Sequence, residues 1–282
     1  MKRIDAHQHF WKYDAARDSW ITKEMAILKR DFTPADLLPE MSANGIDGSI
    51  AVQTNQSEQE TLFLLDIGKR NDWIAGVVGW VDLCAGNVEE RLRYFSQFEK
   101  LRGVRHIVQS EADDRFLLGA DFMRGIRCLA QFNLTYDILI FPKQLPAAID
   151  FVARFPEQPF VLDHMAKPNI KSGHRSTENM EWARNIKFLA AHRNVSCKLS
   201  GLITEADWNG WRPEDFRPYL DTVFEAFGAH RLMFGSDWPV CLLAGTYHRV
   251  REVIQKYVGE FSVAEQEQIF GGNAQKFYGL KN

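Results

Sequence analysis

GIDGSIAVQTNQSEQETLFLLDIGKRNDWIAGVVGWVDL, residues 45–83, reads as strand, helix and strand in succession. The two outer runs, 45–54 and 73–83, are near-continuous in Val, Ile and Ala, the mark of parallel strands buried on both faces. Between them Ser57 stands three residues before Glu60, a capping-box start for a helix reaching Asn71. The alternation continues in both directions. Residues 3–9, 101–109, 134–140, 159–165, 194–202 and 231–239 read as six further strands. Residues 87–100 read as a helix capped by Asn87, and 178–193 as one with Met180, Ala183, Ile186 and Ala190 along a single face. Residues 213–228 run from Pro213 to Gly228, with Pro218 expected to kink or split the helix. Eight alternations predict an α/β fold, either a (β/α)8 TIM barrel or a large doubly wound sheet. No Gly-rich phosphate loop follows any strand, which favours the barrel, taken as one domain over residues 1–282.

Composition narrows the function. Lys and Arg number 34 against 37 Asp and Glu, mixed along the chain, so no basic stripe points to nucleic acid. No apolar run approaches the roughly 18 residues of a membrane-spanning helix. The chain enters a strand almost at once, leaving no room for a cleavable apolar leader. Cys84, Cys128, Cys197 and Cys241 are far apart and suit reduced thiols, so the expected compartment is the cytoplasm. Oligomeric state is left open by these features. The loop over residues 14–39 is long, and a helix covering the barrel mouth is expected there; 166–178 is the second long loop.

In such barrels the chemistry gathers at the C-terminal ends of the strands. His7 and His9 stand two apart at the end of the first strand, so alternation points both imidazoles the same way. The pair suits a divalent metal or an oxyanion, against the blander reading of two packed histidines. Asp237 closes the eighth strand as a candidate base for water, or else as a helix cap. His164 closes the sixth as a carbonyl-polarising group or a satisfied core histidine, while Asp163 is expected to face the helices. Arg105 and His106 alternate, and Arg105 is expected to face inward and hold the substrate. Gln53, Tyr136 and Lys198 are candidate substrate contacts, or interior hydrogen-bond and ion-pair partners. Trp208 is one of five tryptophans near the mouth, a flat floor for a sugar-like ring or simply packing.

Together IDAHQHFW (4–11), GVRHIVQ (103–109), VLDHMAKP (161–168), CKLSGL (197–202), FGSDWPV (234–240) and GGNAQKFYG (271–279) resemble the amidohydrolase superfamily. The resemblance spans essentially the whole chain and is nearest the lactonase-like branch, which opens sugar lactones such as those of L-fuconate and L-rhamnonate. It implies the (β/α)8 barrel, and a hydrolase acting on the carboxylic ester bond of an L-fuconolactone-like aldonolactone. It also implies that Asp237 activates water while His164 and nearby cations polarise the carbonyl. Two-metal relatives take a bridging lysine or glutamate from the fourth strand, where this chain has Arg105 and His106. The resemblance therefore implies either one divalent ion (Zn2+) on His7, His9 and Asp237, or catalysis without metal. A non-oxidative decarboxylase of the same superfamily and a catalytically silent sugar-binding barrel are the alternatives.

Overall fold

The computed structural model describes residues 1–281. Its strands are β1 (Ile4–Gln8), β2 (Gly48–Val52), β3 (Ile74–Gly79), β4 (Leu101–His106), β5 (Thr135–Ile138), β6 (Phe160–Leu162), β7 (Val195–Leu199) and β8 (Leu232–Phe234). All pair in parallel with their sequence neighbours, in the order β1 to β8. The seam from β8 back to β1 is closed by a parallel bridge between Gln8 and Trp238. Across it His9 N donates to Trp238 O at 2.7 Å, and Asp237 N to His7 O at 2.8 Å. The fold is a (β/α)8 barrel.

One principal helix follows each strand: α1 (Pro34–Ala43), α2 (Glu58–Arg70), α3 (Val88–Phe95), α4 (Ala120–Leu129), α5 (Leu145–Ala153), α6 (Thr177–Ala190), α7 (Pro213–Phe227) and α8 (Tyr247–Val258). Ser57 accepts from Glu60 N at 3.2 Å and so starts α2, but the Glu60 carboxylate turns to Thr54 instead of closing a box. On α6 the buried face carries Asn179, Trp182, Ile186 and Leu189, and Met180 is exposed. The α7 helix runs unbroken through Pro218, whose missing N–H forfeits only a bond to the first turn.

One large apolar cluster lies between sheet and helices, and a smaller one built on Ile4, Ala6, Ile50, Val52, Val78, Val161 and Met233 fills the barrel interior. The strands are shorter than their apolar runs because the backbone leaves the extended form just where polar side chains begin. His164, Met165, Ala166 and Lys167 all have φ between 50° and 58°, and Asp237 has φ 57°. The long first loop is tied at its base by Trp11–Phe32 pairing and holds one short helical turn, Ala26–Leu28, before α1.

Candidate active site

The strand ends surround a chamber of 420 Å³, within the usual range for small-molecule sites. His9, Arg105, His164 and Asp237 form its polar floor, and Trp20, Met25, Leu139 and Trp208 supply apolar wall. Both long loops contribute, Trp20 and Met25 from the first and Lys167 from the second.

His7 lies one layer below, fully buried, and points into the barrel because the register of β1 shifts between Asp5 and Gln8, while Asp5 faces outward to the Tyr247 hydroxyl of α8 at 3.0 Å. The Asp5 carboxylate accepts the backbone N–H of His7 at 3.1 Å and of Ser236 at 2.9 Å, clamping β1 to the segment after β8. Gly235 leaves room for this approach, since a Cβ there would stand 2.7 Å from that of His7. His9 donates its Nδ1–H to the Val52 carbonyl at 2.7 Å. In the neutral ring its Nε2 lone pair then faces His7 Nε2 at 3.2 Å and Asp237 Oδ1 at 3.3 Å.

His164 sits in the left-handed turn after β6, with Nδ1 against the Ser200 hydroxyl at 2.9 Å. Gly201, at φ +68°, packs so closely that a Cβ would lie 2.8 Å from that ring nitrogen. His164 Nε2 and His7 Nε2 each stand 3.9 Å from Asp237 Oδ1. Burial pushes His7 well below the usual histidine range and His164 down to about 4, so both rings are neutral near pH 7. Burial alone would raise the Asp237 carboxyl. The imidazoles of His164, His9 and His7 gathered round it, each able to share a proton with it, outweigh burial and hold the carboxyl below its usual range, so Asp237 stays ionised. Its Oδ2 has no hydrogen-bond partner among the described residues and is left to the chamber.

A metal fits this donor set. The bare nitrogen of His9 faces other acceptors, an arrangement that calls for a cation or a proton between them. A tetrahedral ion with bonds of ~2.0–2.1 Å holds its ligand atoms ~3.3 Å apart, near two of the three separations among His7, His9 and Asp237. The hydrogen bond from His9 Nδ1 is the outer contact that commits the other nitrogen to an ion. A second cluster of His7, Asp163 and His164 is compact enough but already engaged, because Asp163 holds Arg105 at 2.8 Å and Lys198 at 2.9 Å.

That engagement corrects the expectation for Asp163. It faces the barrel interior, not the helices, because the chain ceases to alternate after Leu162. Arg105 points inward and His106 outward. Arg105 reaches His7 Nε2 at 3.3 Å, Asp163 Oδ2 at 2.8 Å and both oxygens of Gln53. His106 stacks on Phe116 and bonds Glu111 at 2.7 Å. Tyr136 is not a substrate contact. It packs outward among Phe122, Phe151 and Phe160, so its neighbour Asp137 takes the inward place. Lys198 does not reach the chamber either. It is fully buried between Asp137 at 2.5 Å and Asp163 at 2.9 Å, with His7 Nδ1 at 3.1 Å. Gln53 serves as the cradle of Arg105 and is sealed beneath it. Trp208 does line the chamber, its Nε1 held by the Thr204 carbonyl at 2.9 Å. Sequence reasoning missed Lys167, Glu205, Thr54 and Gln109, all chamber-lining residues. Lys167 and Glu205 lie in loops, where periodicity carries no directional signal.

Comparison with known proteins places the chain. It is 45% identical over 285 residues to an L-fucono-1,5-lactonase of Burkholderia multivorans, covering 99% of this chain and 96% of the relative. An L-fucono-1,5-lactonase of Burkholderia ambifaria is 37% identical, covering 98% and 95%. A crystal structure of an amidohydrolase from Burkholderia multivorans with bound zinc superposes with a TM-score of 0.95 at 44% identity, over 100% of both chains. With the family profile described as "Amidohydrolase" matching residues 4–280, the chain belongs to the amidohydrolase family.

Proposed function

We propose that this protein is a lactonase that opens a sugar lactone, of the L-fucono-1,5-lactone type, to its aldonic acid. The observation that carries the reading is Asp237, whose Oδ2 has no hydrogen-bond partner among the described residues, at the floor of a chamber shared with Arg105 and His164. Full-length kinship with two L-fucono-1,5-lactonases supplies the substrate class and sets the decarboxylase and silent-barrel alternatives aside.

The residues divide the work as follows. Water in the chamber gives a proton to Asp237 Oδ2 as its oxygen adds to the lactone carbonyl. With the Ser200 hydroxyl donating to Nδ1, the Nε2–H of His164 is free to donate to the carbonyl oxygen. Arg105, fixed by Gln53 and Asp163, brings a permanent charge toward the developing oxyanion. When the tetrahedral centre collapses, the proton on Asp237 passes to the departing ring oxygen. No covalent nucleophile is needed. His7, His9 and Asp237 would hold one divalent ion, which we assign as zinc. When bound, the ion supplies Lewis acidity toward oxygen. The four unpaired cysteines suit the cytoplasm, the compartment we propose; among the described residues no helix is long and apolar enough to cross a membrane.

The test is a panel of aldonolactones followed by acid release, run with and without chelator. Turnover of L-fucono-1,5-lactone or a stereochemical neighbour supports the reading. Binding of the lactones without ring opening would replace it with a silent barrel, and carbon dioxide release from aromatic acids with a decarboxylase.

A further inference from the structure

Lys167 and Glu205 face the chamber from different loops, and the hydrolytic chemistry uses neither. Lys167 follows β6 in the same left-handed turn as His164, its backbone N–H bonded to the His164 carbonyl at 2.8 Å. Glu205 follows β7 in the short turn that also carries Thr204, the anchor of Trp208. Both side chains are thus set in fixed relation to the reacting groups. Lys167 Nζ stands 3.6 Å from Glu205 Oε1, and about a fifth of each side chain remains exposed.

As a structural ion pair this contact is poor. It is longer than a charge-assisted hydrogen bond, and a partly exposed pair adds little stability. Glu205 is moreover poorly placed for a carboxylate. Burial raises its pKa, and although Lys167 lowers it, the nearby charge of Asp237 raises it again. A carboxylate in that position gains from a hydroxyl that donates to it. A sugar lactone differs from a plain lactone only in its hydroxyls, and the apolar walls of the chamber cannot read them. An acceptor and a donor side by side can, because one hydroxyl of a vicinal diol gives its proton to the carboxylate while its neighbour accepts from the ammonium.

We infer that Glu205 and Lys167 together form the diol-recognising element of this site and set its preference for hydroxylated lactones. The inference rests on the lactonase reading and names its specificity residues.

The test compares wild type with Glu205→Gln and Lys167→Met on L-fucono-1,5-lactone and on δ-hexanolactone, the same ring and methyl group without hydroxyls, read at high enzyme concentration. Each variant is expected to lower the ratio of kcat/KM for the sugar lactone over the plain lactone by about 10- to 100-fold, the worth of a hydrogen bond to a charged group. The change should fall mainly on KM for the sugar lactone. Melting temperatures should stay within about 2 °C of wild type, since the pair is weak as a structural tie. Equal losses on both lactones would overturn the inference and make the pair part of the reaction or of the loop scaffold. An undiminished ratio in both variants would overturn it as well. A wild type that opens neither lactone would refute the lactonase reading itself, a result distinct from either.

Discussion

Replacing Lys198 with methionine removes the single cation that sits between two buried carboxylates. Lys198 Nζ is 2.5 Å from Asp137 and 2.9 Å from Asp163, and all three side chains are wholly shielded from water. In the variant Asp163 keeps Arg105, but Asp137 is left with only the Tyr278 hydroxyl at 2.9 Å. Orphaning one member of a buried ion pair costs about 3–5 kcal/mol. For a chain of this size each kcal/mol lowers Tm by roughly 2–3 °C, so a fall of about 6–15 °C is expected. The loss should also acquire a pH dependence. Burial, opposed by Lys198, already pushes the Asp137 carboxyl up to about 6, and removing the lysine raises it further. A carboxyl whose folded pKa lies above its unfolded value penalises the fold at high pH, and the penalty is relieved as pH falls through the folded pKa. The variant should therefore recover stability between pH 8 and pH 5.5. Adding Asp137→Asn should restore part of the loss at pH 8, because no charge is then stranded. Thermal and urea melts at several pH values measure all of this. A Lys198→Met protein that melts within 2 °C of wild type yet has lost lactone turnover would refute the reasoning and return Lys198 to the role of a substrate contact.

Four further outcomes are expected. Asp237→Asn should remain folded and lose about 10²–10⁴ in kcat, the worth of a positioned general base; near-normal turnover would remove Asp237 from the reaction. Arg105→Met should cost about 10²–10³ in kcat by withdrawing an oxyanion donor, whereas His106→Gln should lower the melting temperature and spare kcat; the reverse pattern would mean that the charge at 105 is structural. Gly201→Ala, at a positive φ and 2.8 Å from His164, should destabilise by about 1–3 kcal/mol and depress kcat by displacing that ring, as melts and steady-state rates would reveal. His7→Ala combined with His9→Ala should abolish zinc uptake measured by elemental analysis, and equal metal content in both proteins would place the ion elsewhere.

Arg105 and His106 were separable in the sequence because β4 is regular from Gly103 to His106, so adjacent residues take opposite sides. The reading failed one strand on. Parallel strands buried on both faces give no polar side from which to fix the parity, and Tyr136 and Asp137 are equally plausible facing inward until the packing of Phe122 and Phe151 is known. Asp163 escaped for another reason. The left-handed run beginning at His164 takes the backbone out of the pleat, and no residue type in VLDHMAKP announces it, since the run contains no glycine. The four candidate catalytic side chains were legible because ionisable groups at the ends of apolar runs are expensive unless used or paired. Lys198 belongs with them by that argument and differs in its answer: it is paired.

The bond from Asp237 N to His7 O has a consequence for the life history of the chain. Asp237, the proposed base, and the imidazoles of His7 and His9 come from opposite ends of the polypeptide, and the last strand registers them against each other only when the ring of strands shuts. A nascent chain that has delivered seven strands from the ribosome holds most of the barrel's mass and none of its chemistry. Truncation before Asp237 should give an inert protein, never a weakened one. Two fragments split in the exposed stretch near Gly173 should each be silent and gain turnover only on reassociation. Lactone hydrolysis would then serve as a clock for barrel closure, readable in a refolding experiment without any attached dye.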